Sequence, residues 1–147
     1  MRPSLLRAAI VLTAVWAGGL ACIGLLAAPA AFASLPGAEA GRYVARLFAR
    51  EAPVSLALSL LLIFMERRRA SNAAEDSASS VFSPELMILF GTVFCTVAGY
   101  YALQPMMASA RLGQGGWSFG ALHAVSLAFY GFKGVLVLLL AWRLTRY

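Results

Sequence analysis

Four long apolar runs, separated by short polar or proline- and glycine-containing stretches, dominate the pattern of the chain. Each run approaches the roughly 20 residues that a helix needs to cross the core of a bilayer. The first run exceeds the roughly 7–15 apolar residues of a signal peptide, so we expect a span and not a cleaved leader. The pattern predicts an all-α fold, an integral membrane four-helix bundle forming a single domain over residues 1–147, with spans near 5–28, 39–65, 85–103 and 117–142.

The ends of the second and third helices follow from the residues that flank their apolar runs. The uninterrupted apolar part of the second run, residues 52–65, covers only about 21 Å as a helix, less than the ~30 Å bilayer core. We therefore expect this helix to begin near Glu39. Residues 66–83, which open with a charged stretch, are predicted to form a long mobile loop, with short loops at the opposite end of the bundle. Ser83 and Pro84 form an N-terminal signal for the third helix.

The composition narrows the class of protein. Hydrophobic residues make up 61% of the chain and charged residues only 12%, whereas a soluble domain has about 25% charged residues. This excludes a soluble globule, a disordered chain and a nucleic-acid-binding protein. The two cysteines give no disulfide framework and no CxxC spacing. The lipid bilayer is therefore the expected partner.

Arginine is distributed unequally between the two ends of the predicted bundle. Four spans place both termini and the 66–83 loop at one end, which then holds Arg2, Arg7, Arg67, Arg68, Arg69, Arg143 and Arg146. The other end holds Arg42, Arg46, Arg50 and Arg111. Because basic residues are enriched on the cytoplasmic side, the distribution predicts that both termini and the long loop are cytoplasmic.

Small residues recur every fourth position on each predicted helix, for example Ala14, Gly18 and Cys22 on the first. Helices in lipid approach one another through such residues. The strips predict either a tight bundle or contact with a second copy or another membrane protein, and they leave the oligomeric state open.

Polar side chains interrupt the apolar runs at similar depths. Counting from the cytoplasmic helix ends places Glu51 and Tyr100 about 21 Å up and His123 about 27 Å up. The predicted polar cluster consists of His123, Glu51, Arg50, Tyr100, Ser126, Tyr130 and Lys133. One interpretation is a cleft in which His123 and Glu51 exchange protons or hold a small solute. The other is structural: His123 and Tyr100 hydrogen-bond across helices, and Glu51 is neutralised by Arg50 or Arg46.

Arg42, Arg46 and Arg50 are spaced by four residues and share one face of the second helix. This interfacial basic face either binds anionic headgroups or is simply solvated. The sequence contains no GxSxG, HExxH or nucleotide motif, so no catalytic residues and no enzymatic activity are expected.

Four residues also form a candidate metal set. Cys22, Met106, Met107 and His123 are predicted at similar levels, with Met106 and Met107 in a loop after the third helix. Thiolate, thioether and imidazole ligands select Cu(I), which makes copper the candidate cofactor. Ordinary packing is the alternative, and no cofactor is then expected.

Several short motifs resemble a known family: Trp16-Ala17-Gly18-Gly19, Ala28-Pro29, Phe32, Ala40-Gly41-Arg42, Leu47-Phe48, and Leu122-His123 with Ser126. Together they resemble the bacterial membrane proteins called domain of unknown function 4149, related to eukaryotic transmembrane protein 205. The resemblance implies a four-span bundle in the bacterial inner membrane with no established activity. A more distant similarity to the membrane domain of copper-resistance protein D adds to the copper hypothesis.

Three functional hypotheses remain. The favoured one is a non-enzymatic structural or accessory membrane subunit. The second is a small-solute or proton-linked carrier built on the polar cluster, and the third is a copper-handling membrane protein. A water-filled cleft containing His123 and Glu51 favours the carrier, whereas a dry, closed bundle favours the accessory subunit.

Overall fold

A computed structural model describes residues 3–74 and 83–147, which form four long helices. Helix α1 comprises an α-helical segment Pro3–Ala21, a π-helical turn Cys22–Ala27 and a second segment Ala28–Ser34. Helix α2 is Gly37–Ala74. Helix α3 comprises Pro84–Thr96, a π-helical turn Val97–Ala102 and Leu103–Arg111, and helix α4 is Phe119–Leu144. All four are long and apolar enough to span a membrane, which confirms the predicted all-helical, four-span fold.

Two helices extend beyond their predicted ends. Helix α2 runs through the charged stretch to Ala74, so the part of the predicted 66–83 loop up to residue 74 is helical, and residues 75–82 lie outside the described residues. Helix α3 continues to Arg111, so Met106 and Met107 lie on a helix and not in a loop. The predicted helix ends lie where charged and polar residues end the apolar runs, but such residues can still form helical backbone hydrogen bonds.

Pro29 and Pro105 lie just beyond the predicted spans 5–28 and 85–103, yet both are within continuous helix. A proline ring collides with the carbonyl of the residue four positions earlier. In both helices that earlier residue, Leu25 or Tyr101, lies in the π-helical turn. The wider turn gives the ring room, and the helix continues past it.

Serine side chains cap the starts of α3 and α4. Ser83 Oγ accepts a hydrogen bond from the backbone N–H of Leu86 at 3.2 Å, as the sequence predicted. Ser118 Oγ accepts one from the N–H of Ala121 at 3.1 Å. These bonds satisfy amide groups that have no partner within the helix.

The helices form a ring in which chain neighbours lie side by side and α4 closes against α1, so α2 and α4 face each other across the bundle. The half nearest the termini has the main apolar core, with Trp16, Leu62, Leu89 and Leu140 among its buried residues. In the opposite half, which we call the loop half, α2 packs on the end of α1, and α3 packs on α4. The two hairpins therefore separate towards the loops.

An ion pair between a buried carboxylate and a partly exposed arginine lies at the terminus end of the bundle. Glu85 at the start of α3 is 1% exposed and accepts hydrogen bonds from Arg143 Nε at 2.7 Å and from the Tyr147 hydroxyl at 3.2 Å. The pair joins α3 to the C-terminal end of α4.

The strips of small residues have different roles. On α3, a Cβ added at Gly99 would overlap the side chain of Phe129, so this glycine permits the close approach of α4. On α1, Ala14, Gly18 and Cys22 are exposed, and nothing lies within 4 Å of a Cβ added at Gly18.

We expect Gly99→Ala to destabilise the protein by about 1–3 kcal/mol, because the added methyl group must displace Phe129. The matched control is Gly18→Ala, where the new methyl group meets open space. Thermal unfolding of the purified protein in detergent measures both variants. Equal stability of the two would contradict the close contact between α3 and α4.

Candidate functional site

A cavity of about 600 Å³ lies in the loop half of the bundle, where the two hairpins separate. Helices α2, α3 and α4 provide nearly all of its lining, and α1 contributes Phe32. Most of the predicted polar cluster lines this cavity, namely Glu51, Tyr100, His123, Ser126, Tyr130 and Lys133. Arg50 is the one member that does not line it, although it is adjacent to Glu51.

Glu51 and Lys133 form a buried ion pair at the inner end of the cavity. Lys133 Nζ lies 2.7 Å from Glu51 Oε1, and the two side chains are only 4% and 8% exposed. Ser55 Oγ donates a hydrogen bond to Glu51 and accepts bonds from Lys133 Nζ at 3.3 Å and from Trp16 Nε1 at 2.9 Å. The hydroxyl thus uses both its donor and its acceptor capacity within one charged cluster.

The polar network reaches every helix of the bundle. Trp16 comes from α1, Ser55 and Ser59 from α2, and Lys133 from α4. On α3, Thr92 Oγ1 lies 3.0 Å from Ser59 Oγ. The Glu51 carboxylate and its partners therefore belong to a network of polar side chains from all four helices.

The partner of Glu51 differs from the expected one. The structural interpretation assigned Glu51 to Arg50 or Arg46, but its partner is Lys133 on the opposite helix. Adjacent residues on a helix point about 100° apart, so Arg50 is exposed while Glu51 faces inward. By the same count Lys133, ten residues after His123, lies about 12 Å up, so the depths of Glu51 and Lys133 differ by about 9 Å, which two long side chains bridge.

Ser126 and Tyr130 line the cavity and also hold the helices together. Ser126 Oγ donates to the carbonyl of Gly99 at 2.7 Å, and the Tyr130 hydroxyl donates to that of Leu20 at 2.7 Å. The ring of Tyr130 packs edge-to-face on Phe48 at 4.9 Å. These side chains fix α4 against α3 and α1, although the structural interpretation expected such bonds from His123 and Tyr100.

His123 occupies the outer part of the cavity and is exposed. Its ring stacks on Phe119, with centroids 5.8 Å apart and planes 13° apart. The Arg111 guanidinium lies over the same Phe119 ring, 4.7 Å from its centroid. His123 and Glu51 share the cavity, but Glu51 is hydrogen-bonded to Lys133 and Ser55.

The predicted basic face of α2 is divided. Arg42 and Arg46 line the cavity, whereas Arg50 does not. All three are exposed, and none forms a salt bridge with another described residue.

The four candidate metal ligands are not brought to one place. His123 and Met107 line the cavity, but Cys22 and Met106 do not. Met107 is buried against Leu103 and Leu122, while Met106 is 43% exposed. Within residues 3–74 and 83–147, no group of three His, Cys, Asp or Glu side chains is arranged to hold a metal ion.

Sequence reasoning missed Trp16, Ser55, Ser59 and Thr92 as members of the polar network. Ser55 and Ser59 are small and spaced by four, so they form the strip of small residues on the second helix, which predicted only helix association. The available signal was that both lie one or two turns after Glu51 on the same helical face. Their hydroxyl groups, and not only their size, determine their role.

One family model matches the chain. It is described as Domain of unknown function (DUF4149), and it matches residues 11–115, most of the chain. This confirms the resemblance that the short motifs indicated. No curated protein and no solved structure matches the chain.

We expect Lys133→Met to destabilise the protein by about 3–5 kcal/mol, because it leaves the Glu51 carboxylate buried without its partner. The double variant Glu51→Gln/Lys133→Met removes both charges and should recover most of that loss. Unfolding in detergent, followed by circular dichroism, measures both. A single variant as stable as the wild type would show that the pair does not hold the helices together.

Proposed function

We propose that this chain, which belongs to the DUF4149 family of unknown function, binds a small solute in its cavity and carries it across the membrane without chemical conversion. The observation that carries this proposal is the cavity of about 600 Å³ with the buried Glu51–Lys133 pair at its inner end. Small-molecule sites have volumes of about 300–1,000 Å³. Ionisable residues within a membrane mark solute and proton pathways.

The position of the pair favours a carrier over a purely structural role. Both Glu51 and Lys133 belong to the cavity lining. A solute that enters the cavity therefore meets the pair directly, and its charge changes the balance between the two groups. His123 and Glu51 line the same cavity, which is the arrangement that distinguishes a carrier from a closed accessory bundle.

The proposed carrier lies in a bacterial inner membrane with both termini in the cytoplasm. The larger number of arginines at the terminus end supports this orientation. The cavity, which lies in the loop half, then faces the periplasm.

Cysteine accessibility tests the proposal in a Cys22→Ser/Cys95→Ser background. Three single substitutions are added in turn: Gly41→Cys in the outer cavity, Ser126→Cys deeper in it, and Gly18→Cys on the outer face of α1. A membrane-impermeant maleimide is applied to right-side-out and to inverted vesicles. In a carrier, position 41 reacts only from the loop side, position 126 reacts from both sides, and position 18 reacts from neither.

Labelling of position 126 from the loop side alone would argue for a binding protein that does not transport. If neither position 41 nor position 126 reacts from any side, the bundle is closed in the membrane, and the proposed function is wrong.

An accessory role through self-association is a second candidate, supported by the exposed small residues Ala14, Gly18 and Cys22 on α1. Their spacing presents one outward strip through which a second copy can approach closely. In this case the protein acts through helix contacts and not through its cavity.

We expect oxidation of native membranes with copper-phenanthroline to give a disulfide-linked dimer through Cys22, because this cysteine is exposed at the end of the strip. Cys22→Ser should abolish the dimer. Cys95→Ser should leave it unchanged, because Cys95 is buried. Non-reducing gels measure the product, and its absence would remove α1 as the interface between copies.

A further inference from the structure

We propose that the ligand of the cavity is an amphipathic organic anion, whose acid group is held by Arg42 and Arg46 on α2 together with Arg111 on α3, and whose apolar body lies against the apolar side chains of the lining. This inference rests on the proposed function and specifies the class of solute.

The first argument is charge. Four basic residues line the cavity, namely Arg42, Arg46, Arg111 and Lys133, and Glu51 is the one acidic residue in the lining. Glu51 is already paired with Lys133. Within the described parts of the chain, the three arginines form no salt bridge, so the lining has three uncompensated positive charges. Charges of one sign in a cleft with low-dielectric walls raise the local concentration of the opposite ion.

The second argument is the type and spacing of the basic groups. Arg42 and Arg46 are one helical turn apart, so their guanidinium groups lie on the same wall. The planar guanidinium binds carboxylate or phosphate with two parallel hydrogen bonds. Arg111 on α3 also lines the cavity, supported by the ring of Phe119.

The third argument is the apolar character of the rest of the lining. Phe32, Val44, Phe48, Met107 and Leu127 all contribute to it. An inorganic anion pairs with the arginines but leaves these side chains uncovered. A ligand with an acid group and an apolar body satisfies both parts of the cavity, because apolar contact area adds to binding.

Three probes with the same apolar body test the charge of the ligand: 4-phenylbutyrate, 4-phenylbutanol and 4-phenylbutylamine. Each is titrated into purified full-length protein in detergent, and the apparent Kd is obtained from the rise in unfolding temperature. We expect 4-phenylbutyrate to stabilise the protein and the amine to have no effect. The alcohol should bind about tenfold or more weakly than the acid, because it lacks the charge-assisted hydrogen bonds.

The variant Arg42→Gln/Arg46→Gln should weaken 4-phenylbutyrate binding by about tenfold or more. Arg50→Gln is the matched control, since Arg50 is an exposed arginine on the same helix but does not line the cavity.

Gly41→Phe fills the outer cavity and should abolish binding of every probe, whereas Gly18→Phe should not.

Two further arms identify the source of the anion. Inorganic phosphate tests the headgroup alone, and an effect equal to that of 4-phenylbutyrate would overturn the amphipathic part of the inference. Nanodiscs with and without phosphatidic acid test a lipid source. Competition between phosphatidic acid and 4-phenylbutyrate that Arg42→Gln/Arg46→Gln removes supports the inference and assigns the ligand to the bilayer.

Failure of the inference is distinguishable from failure of the proposed function. If acid, alcohol and amine bind equally and Gly41→Phe removes all three, the cavity binds solutes without preference for anions, and only the inference is overturned. If no probe changes the unfolding temperature of the wild type, the cavity does not bind small solutes, and both are overturned.

Discussion

The buried pair of Glu51 and Lys133 is the interaction on which the arrangement of the bundle depends. The two residues lie on α2 and α4, which face each other across the ring and have little direct backbone contact. Charges removed from water are costly unless they are paired and hydrogen-bonded. Glu51 therefore needs Lys133 close by, and this requirement, together with the packing of Phe48 on Tyr130, fixes the separation of the two helices.

The neutral polar residues around this pair also limit the positions of the other two helices, α1 and α3. Ser55 bonds to both members of the pair, and Trp16 donates to Ser55. Ser59 donates to the Ser55 carbonyl and lies beside Thr92, which extends the network towards α3. In lipid, apolar side chains give helices little reason to prefer one another, so polar contacts and close backbone approach decide the neighbours. The network supplies the polar contacts, and Gly99 against Phe129 supplies the close approach.

The sequence was sufficient to predict the four helices but not which residues of different helices contact one another. Apolar run length predicts four spans because the thickness of the bilayer sets a minimum, and Ser83 predicts a helix start because its hydroxyl caps a free amide. The partner of Glu51 could not be predicted, because it depends on which faces of α2 and α4 meet, and each apolar run is nearly uniform around its axis. For the same reason the sequence grouped Arg50 with Arg42 and Arg46, although only the latter two line the cavity.

Charged side chains are stabilised differently in the two halves of the bundle, because the two halves differ in their access to water. In the closed terminus half, Glu85 is 1% exposed, and its Oε1 accepts hydrogen bonds from Arg143 and Tyr147. In the open loop half, the exposed Arg42 and Arg46 have no acidic partner among the described residues, yet they cost little because water solvates them. An anion that displaces this water gains the attraction of both arginines in a less polar surrounding. Because the helices divide into a closed half and an open half, a solvated arginine face becomes one wall of the cavity.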